Sequence, residues 1–262
     1  MENIIEIKGL NKRFITEKKQ EVNALRNINL NIKDQEFICI LGPSGSGKST
    51  LLRLMAGLIK PTTGSINVMG KAITRPILES GFVFQEYSLM PWRNIIDNVA
   101  FGLELRKYSK IERYKIAEDI LIKFGLKDFT RSFPYELSGG MKQRAAIARA
   151  IATYPKILYM DEPFGALDAY TRFQMQKDLI EFWLKEKRTI VFVTHSVEEA
   201  VFLGTRVIIM SPRPGEIIAD DNIDLDYPRN RWNEEFGSYF KVIMDLMNEV
   251  SEGKEIGKGR VI

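Results

Sequence analysis

Gly42-Pro43-Ser44-Gly45-Ser46-Gly47-Lys48-Ser49-Thr50 is the stretch from which the rest of the chain is read. It fits G-x-x-x-x-G-K-[ST] from Gly42 to Ser49, follows the apolar run Phe37-Ile38-Cys39-Ile40-Leu41 and leads into Leu51-Leu52-Arg53-Leu54-Met55-Ala56. Strand, glycine loop and helix form the context that this motif requires, which a chance Gly/Ser-rich turn would lack. The glycines let the backbone curl with its N–H groups inward, and the helix that follows adds the positive end of its dipole. A nucleotide polyphosphate fits there, with Lys48 reaching the β- and γ-phosphates, Ser49 ligating Mg²⁺ and Thr50 adding a backbone contact. Alone, the loop does not separate ATPases from GTPases or kinases.

With 262 residues the chain is long enough for one large domain or a core with a subdomain. Its hydrophobic content of 45% and charged content of 27% are those of an ordinary soluble globular protein. No apolar run approaches the roughly 18 residues of a membrane span, and Met1-Glu2-Asn3-Ile4 does not begin a signal peptide. The net charge of +4 is scattered among acidic residues, so a solvated surface is expected and a nucleic-acid partner is not. Cys39, the single cysteine, excludes an intrachain disulfide and falls in an apolar strand, as a small core residue in a reducing compartment would.

Alternation at Ile5 and Ile7, then at Ile28, Leu30 and Ile32, predicts half-buried antiparallel strands joined by the polar loop Thr16 to Glu21. Phe14 stands just before that loop, either to stack on a base or to anchor the sheet; position alone favours the anchor. Short strands are expected at Gly64 to Gly70 and at Gly81 to Gln85. The next loop carries Leu89-Met90-Pro91-Trp92, an apolar patch that is either covered by the chain's own helices or offered to a partner.

From Ile95 to Tyr154 the period becomes helical. Ser109 to Glu112 reads as a capping box, with Ile111, Tyr114, Ala117, Ile120, Leu121 and Phe124 on one helix face and Gly125 as the stop. Leu137-Ser138-Gly139-Gly140-Met141 opens another helix, with Ser138 as N-cap and a Gly-Gly pair that offers either a second anion site or a plain cap.

Ile157-Leu158-Tyr159-Met160 runs into Asp161-Glu162, two carboxylates at the strand end where open α/β sheets bind ligands. Beside a nucleotide loop, one carboxylate supports Mg²⁺ and the other orients or deprotonates the attacking water. Thr189 to Thr194 is another apolar strand, ending at His195, the only histidine; Ser196 to Glu199 reads as a further capping box. Arg206 to Met210 is taken as the final strand and Ser211-Pro212-Arg213-Pro214-Gly215 as a rigid turn. Phe236, Phe240, Ile243, Met247 and Val250 mark an amphipathic helix, and the polar end from Ser251 to Ile262 is expected to fray.

In order and spacing, Gly42 to Thr50, Gln85, Leu137 to Met141, Asp161-Glu162, Leu167-Asp168 and His195 resemble the ATP-binding cassette ATPases over nearly the whole chain. The resemblance implies an α/β fold: a P-loop NTPase core of mostly parallel sheet with flanking helices, an N-terminal antiparallel β subdomain and an inserted α-helical subdomain. Residues 1–84 and 155–225 would form the core, 85–154 the helical subdomain and 226–262 a C-terminal helix and tail.

It also implies ATP with Mg²⁺ as the cofactors. Pro43, Ser44, Gly45, Ser46 and Gly47 would wrap the phosphates beside Gly42 and Lys48. Glu162 becomes the general base, Asp161 the support for Mg²⁺, His195 the γ-phosphate contact, and Gln85 the residue that touches metal and water and senses the membrane subunits. Phe14 becomes the adenine-stacking aromatic, against its positional reading. Ser138, Gly139 and Gly140 would bind ATP held by a second copy of the chain, with Asp168 across that interface. Met141 departs from the glutamine most common in the family, which removes a polar group near the ribose.

Phe84-Gln85-Glu86 with Leu89 to Trp92, Asp97 to Leu103, and Ser211 to Gly215 resemble the nitrate, sulfonate and taurine importer group. That implies membrane permease partners, a solute-binding protein as an indirect one, and a peripheral place on the cytoplasmic membrane face. A soluble ATP switch acting on nucleic acid or ribosomes, and an exporter ATPase, are the alternatives.

Overall fold

The computed structural model describes residues 2–252. In chain order, β1 (Asn3–Ile15), β2 (Glu21–Lys33) and β3 (Phe37–Leu41) precede α1 (Lys48–Met55). Then come β4 (Thr63–Val68), β5 (Lys71–Ala72), β6 (Ser80–Val83), α2 (Ile95–Leu105), α3 (Lys110–Lys123) and α4 (Gly139–Ile151). The remainder is β7 (Ile157–Asp161), α5 (Ala169–Glu186), β8 (Thr189–Val193), α6 (Val197–Leu203), β9 (Arg206–Met210), β10 (Ile217–Asn222) and α7 (Glu234–Ser251). The chain forms two compact units, Met1–Ile77 with Trp183–Ile262, and Leu78–Phe182.

In the first unit, β2, β1, β4 and β5 make an antiparallel sheet. β1 runs on through Ile15, further than the alternation of its first residues shows, and bulges interrupt its register with β2. Their inward residues Ile5, Ile7, Leu10, Ile28 and Ile32 are buried. β3 lies between β8 and β9, parallel to both. All five residues of β3 and of β8 are buried, which is why these strands are continuous apolar runs rather than alternating ones.

β9 is not the last strand: β10 pairs with it antiparallel. β10 escapes the hydrophobic pattern because only Ala219 is buried in it, while Asp220 takes an ion pair from Arg206. Farther on, Arg229 is buried and donates to the carbonyls of Val201, Gly204 and Ile223 at 2.5, 2.7 and 3.2 Å. Those bonds tie the chain before α7 to the end of α6. α7 buries Phe236, Ile243, Leu246 and Val250 as its amphipathic pattern requires, and the expectation for the tail falls mostly on residues 253–262, outside the described residues.

In the second unit, β6 and β7 pair in parallel. α2, α3 and α4 enclose an apolar cluster that includes Ile95, Val99, Leu103, Ala117, Leu121, Leu126, Leu137 and Ala148. The capping box at Ser109 forms in both directions, and Gly125 stops α3 at φ +64°. Ile111 breaks the expected helix face: it is 84% exposed, because the buried stripe of α3 is only Ala117, Ile120 and Leu121.

Candidate functional site

In the first unit three loops leave the C-terminal ends of adjacent parallel strands: the glycine loop after β3, His195 after β8, and Ser211 to Gly215 after β9. Gly45 and Gly47 take φ of +78° and +90°, conformations that favour glycine. A Cβ on Gly47 would stand 2.7 Å from Leu25 Cδ2 and 2.9 Å from the Ala24 carbonyl. Behind the loop, a Cβ on Gly215 would collide with the Ser46 carbonyl. The loop is therefore fixed between β2 and the turn after β9.

α1 starts at Gly47 with no side-chain cap and no acidic residue in its first turn. The N-cap glycine thus offers the first turn no side-chain acceptor, and the positive end of such a helix suits an anion. Lys48 is buried, and its ammonium donates to the Gly42 and Pro43 carbonyls at 2.8 and 2.9 Å. The buried Ser46 hydroxyl has no hydrogen-bond partner among the described residues. A curled backbone, an uncapped helix start, an ammonium and a spare hydroxyl fit a polyphosphate. Ser44, Ser49 and Thr50 are accessible along the same turn.

His195 is exposed, while Thr194 beside it is buried and its N–H donates to the Ile40 carbonyl of β3 at 3.2 Å. The Arg213 guanidinium lies 3.7 Å from the Cβ position of Gly45, an approach to the glycine loop that the sequence signals only as a proline-rich turn. Phe14 pairs with Val22, on the ribbon whose Ala24 and Leu25 touch the glycine loop. Its ring is 40% exposed with the Lys12 ammonium 4.8 Å from the centroid, so it does not anchor the sheet.

In the second unit Gln85 and Asp161-Glu162 emerge from the same end of the β6–β7 pair, where Val83 is opposite Met160. The strand stops at Val83, leaving Gln85 exposed in the loop. Asp161 closes β7 and is fully buried. Glu162 is half-buried at φ +45°, a left-handed backbone in a residue with a Cβ, and such strain gathers at functional positions.

The apolar loop divides between its two expected fates. Leu89 packs on the helical cluster, while Trp92 is 74% exposed. Ser88 accepts from Arg149 of α4 at 2.6 Å. At the start of α4, Ser138 Oγ accepts from the Met141 N–H at 3.3 Å, and a Cβ on Gly139 would lie 2.8 Å from the Tyr87 hydroxyl. Met141 packs against the helical cluster, which accounts for an apolar residue there. Gly140 is half-buried in the same first turn. Asp168 caps α5 by accepting from the Thr171 N–H at 3.0 Å, and that bond holds its carboxyl below the ordinary range.

A strand-to-glycine-loop anion cradle, two carboxylates at a parallel strand end and a serine-capped Gly-Gly helix start define a class of nucleotide-hydrolysing cassette. The chain belongs to the ABC transporter family, whose model matches residues 25–165. It is 51% identical over 231 residues to the nitrate import ATP-binding protein NrtD of Synechocystis sp., covering 87% of this chain and 86% of that one. It is 41% identical over 262 residues to the taurine import ATP-binding protein TauB of Roseobacter denitrificans, covering 96% and 98%. Among solved structures, a dimeric post-hydrolysis state of an ATP-binding cassette bound to ADP and Pi matches with a TM-score of 0.78 and 34% identity, over 85% of this chain and all of that one. Among the described residues no helix is long and apolar enough to cross a membrane.

Proposed function

We propose that this chain is the ATP-binding and ATP-hydrolysing subunit of an importer, in which two copies close on ATP and drive a separate membrane permease. The observation that carries the nucleotide chemistry is the glycine loop curled at positive φ into the glycine-capped start of α1, with the Lys48 ammonium beside it. The import direction is supported by the nitrate and taurine import relatives. The cargo is then a small solute such as nitrate, a sulfonate or taurine, delivered to the permease by a solute-binding protein. The chain would work at the cytoplasmic face of the membrane as a peripheral subunit.

In this reading Gly42 to Thr50 grip the phosphates, and Lys48 neutralises their charge. Mg²⁺ would be held by Ser49, Gln85 and Asp161, a hydroxyl, amide and carboxylate set suited to a hard cation, and would offset phosphate charge. Glu162 is the general base for the attacking water, and His195 contacts the γ-phosphate. Ser138, Gly139 and Gly140 close on the ATP of the second copy, with Asp168 across that interface, while Phe14 stacks on adenine. Residues 1–84 and 155–225 act as the catalytic core, 85–154 as the helical subdomain facing the permease and 226–262 as the C-terminal extension.

The test is transport by vesicles containing the whole complex. ATP-dependent uptake of nitrate, a sulfonate or taurine is expected; efflux, or copurification of the chain with RNA in place of a membrane protein, contradicts the proposal.

A further inference from the structure

The segment that carries His195 is held from behind by a carboxylate to which the nucleotide chemistry gives no task. Ser196 to Glu199 has the spacing of a capping box, in which the Glu199 carboxylate would return to the Ser196 N–H. Half of that box is present: Ser196 Oγ accepts from the Glu199 N–H at 3.3 Å. The other half is replaced. The Ser196 N–H donates to Thr194 Oγ1 at 3.0 Å, and the Thr194 hydroxyl donates onward to Glu199 Oε2 at 2.5 Å.

Thr194 is 2% exposed and Glu199 7%, so the bond between them is shielded from water, whereas Ser196 is half-buried and the imidazole between the ring's members is exposed. A helix cap needs only the Ser196 oxygen, and burying a carboxylate is costly unless its bonds are well made. The hydroxyl that accepts from Ser196 is left with one proton to give, and the carboxylate is a pure acceptor for it. The ring therefore has one polarity and one geometry, and O–H···O⁻ bonds of this length are the strong kind.

We infer that Glu199 is a positioning residue for His195: through the Thr194 hydroxyl it fixes the backbone on both sides of the histidine and so fixes where the imidazole meets the γ-phosphate. This rests on His195 being that contact. The consequence is a split in the kinetics. The glycine loop grips ATP without this ring, so loosening the ring lowers kcat and leaves the KM for ATP in place.

The experiment uses the tag-free full chain in its transporter complex for turnover, and the full chain alone for NMR. His195 is the only histidine, so histidine-selective labelling reports on it alone. Thr194→Val, which keeps shape and removes the hydroxyl, is expected to lower kcat on the order of tenfold with KM within about twofold, and to displace the imidazole signals. Glu199→Gln moves the same signals the same way by less, and Thr194→Ser restores turnover to within about twofold of the parent. In a His195→Ala background, Thr194→Val lowers kcat no further.

Unmoved imidazole signals in both Thr194→Val and Glu199→Gln overturn the positioning role whatever happens to kcat, as does parental kcat in both variants while His195→Ala is inactive. If Thr194→Val does not fold, Glu199→Gln decides by the same two readouts. Parental turnover in His195→Ala strikes instead at the γ-phosphate contact itself, and the inference falls with it.

Discussion

Asn98 holds Met90 by both polar groups of that residue's backbone: its Oδ1 accepts from the Met90 N–H at 2.8 Å, and its Nδ2 donates to the Met90 carbonyl at 3.1 Å. The same amide also donates to the Arg93 and Asn94 carbonyls at 2.9 and 3.0 Å, and Asn98 has no exposed surface. The loop after Gln85, which has no ladder of its own, is thereby fastened to α2.

Asn98→Ala leaves the half-buried Met90 backbone groups without this partner, at a cost of up to about 1–3 kcal/mol for each group left unsatisfied. Urea unfolding of the full chain is expected to show a loss of about 2–4 kcal/mol, and an unchanged midpoint contradicts the fastening.

Gly139 and Tyr87 set up a second constraint on this loop. Adding a methyl group at Gly139 puts it 2.8 Å from the Tyr87 hydroxyl, the far end of a side chain that can swing away. ATPase activity is expected to fall in Gly139→Ala and to recover in part in Gly139→Ala with Tyr87→Phe, a coupling of about 1 kcal/mol in a double-mutant cycle. Additive effects in that cycle remove the contact as the cause.

Burial pushes the Cys39 thiol up, and its side chain has no exposed surface. The thiolate is the reactive form, so Cys39 is expected to resist iodoacetamide in the native protein and to react at one equivalent in denaturant. Fast native labelling contradicts the packing of β3.

Which parts of this architecture were legible follows from which interactions are local. β3 and β8 are buried on both faces, so they appear as unbroken apolar runs, and the nucleotide loop and His195 could be placed at their ends. Asp161 at the end of β7 and Glu162 after it could be placed for the same reason. β10 is an edge strand in which Asp220 is exposed and pairs with Arg206 and only Ala219 is buried, so no apolar period marks it. Ser196 to Glu199 has the spacing of a capping box, but the Thr194 hydroxyl, two residues before the cap and outside the four-residue pattern, takes the carboxylate. Arg213 and Gly215 gain their meaning from the glycine loop they pack against, a contact that separation along the chain hides.

Trp92 is 74% exposed while its neighbour Leu89 packs on the helical cluster, so the loop is held firmly and offers one large apolar side chain. Trp92→Ala is expected to weaken ATP-driven transport several-fold while leaving the ATPase rate of the isolated chain within about twofold. Equal losses of transport and intrinsic ATPase, with the complex still assembled, contradict a coupling role.

The central claim is that Glu162, at its strained backbone after β7, is the base for ATP hydrolysis. Its most direct measurement is single-turnover ATP hydrolysis by Glu162→Gln, with nucleotide binding and oligomeric state followed in the same samples. Retained ATP binding, hydrolysis reduced by about 10²-fold or more, and an ATP-dependent dimer that persists are expected. Hydrolysis at the parental rate contradicts it.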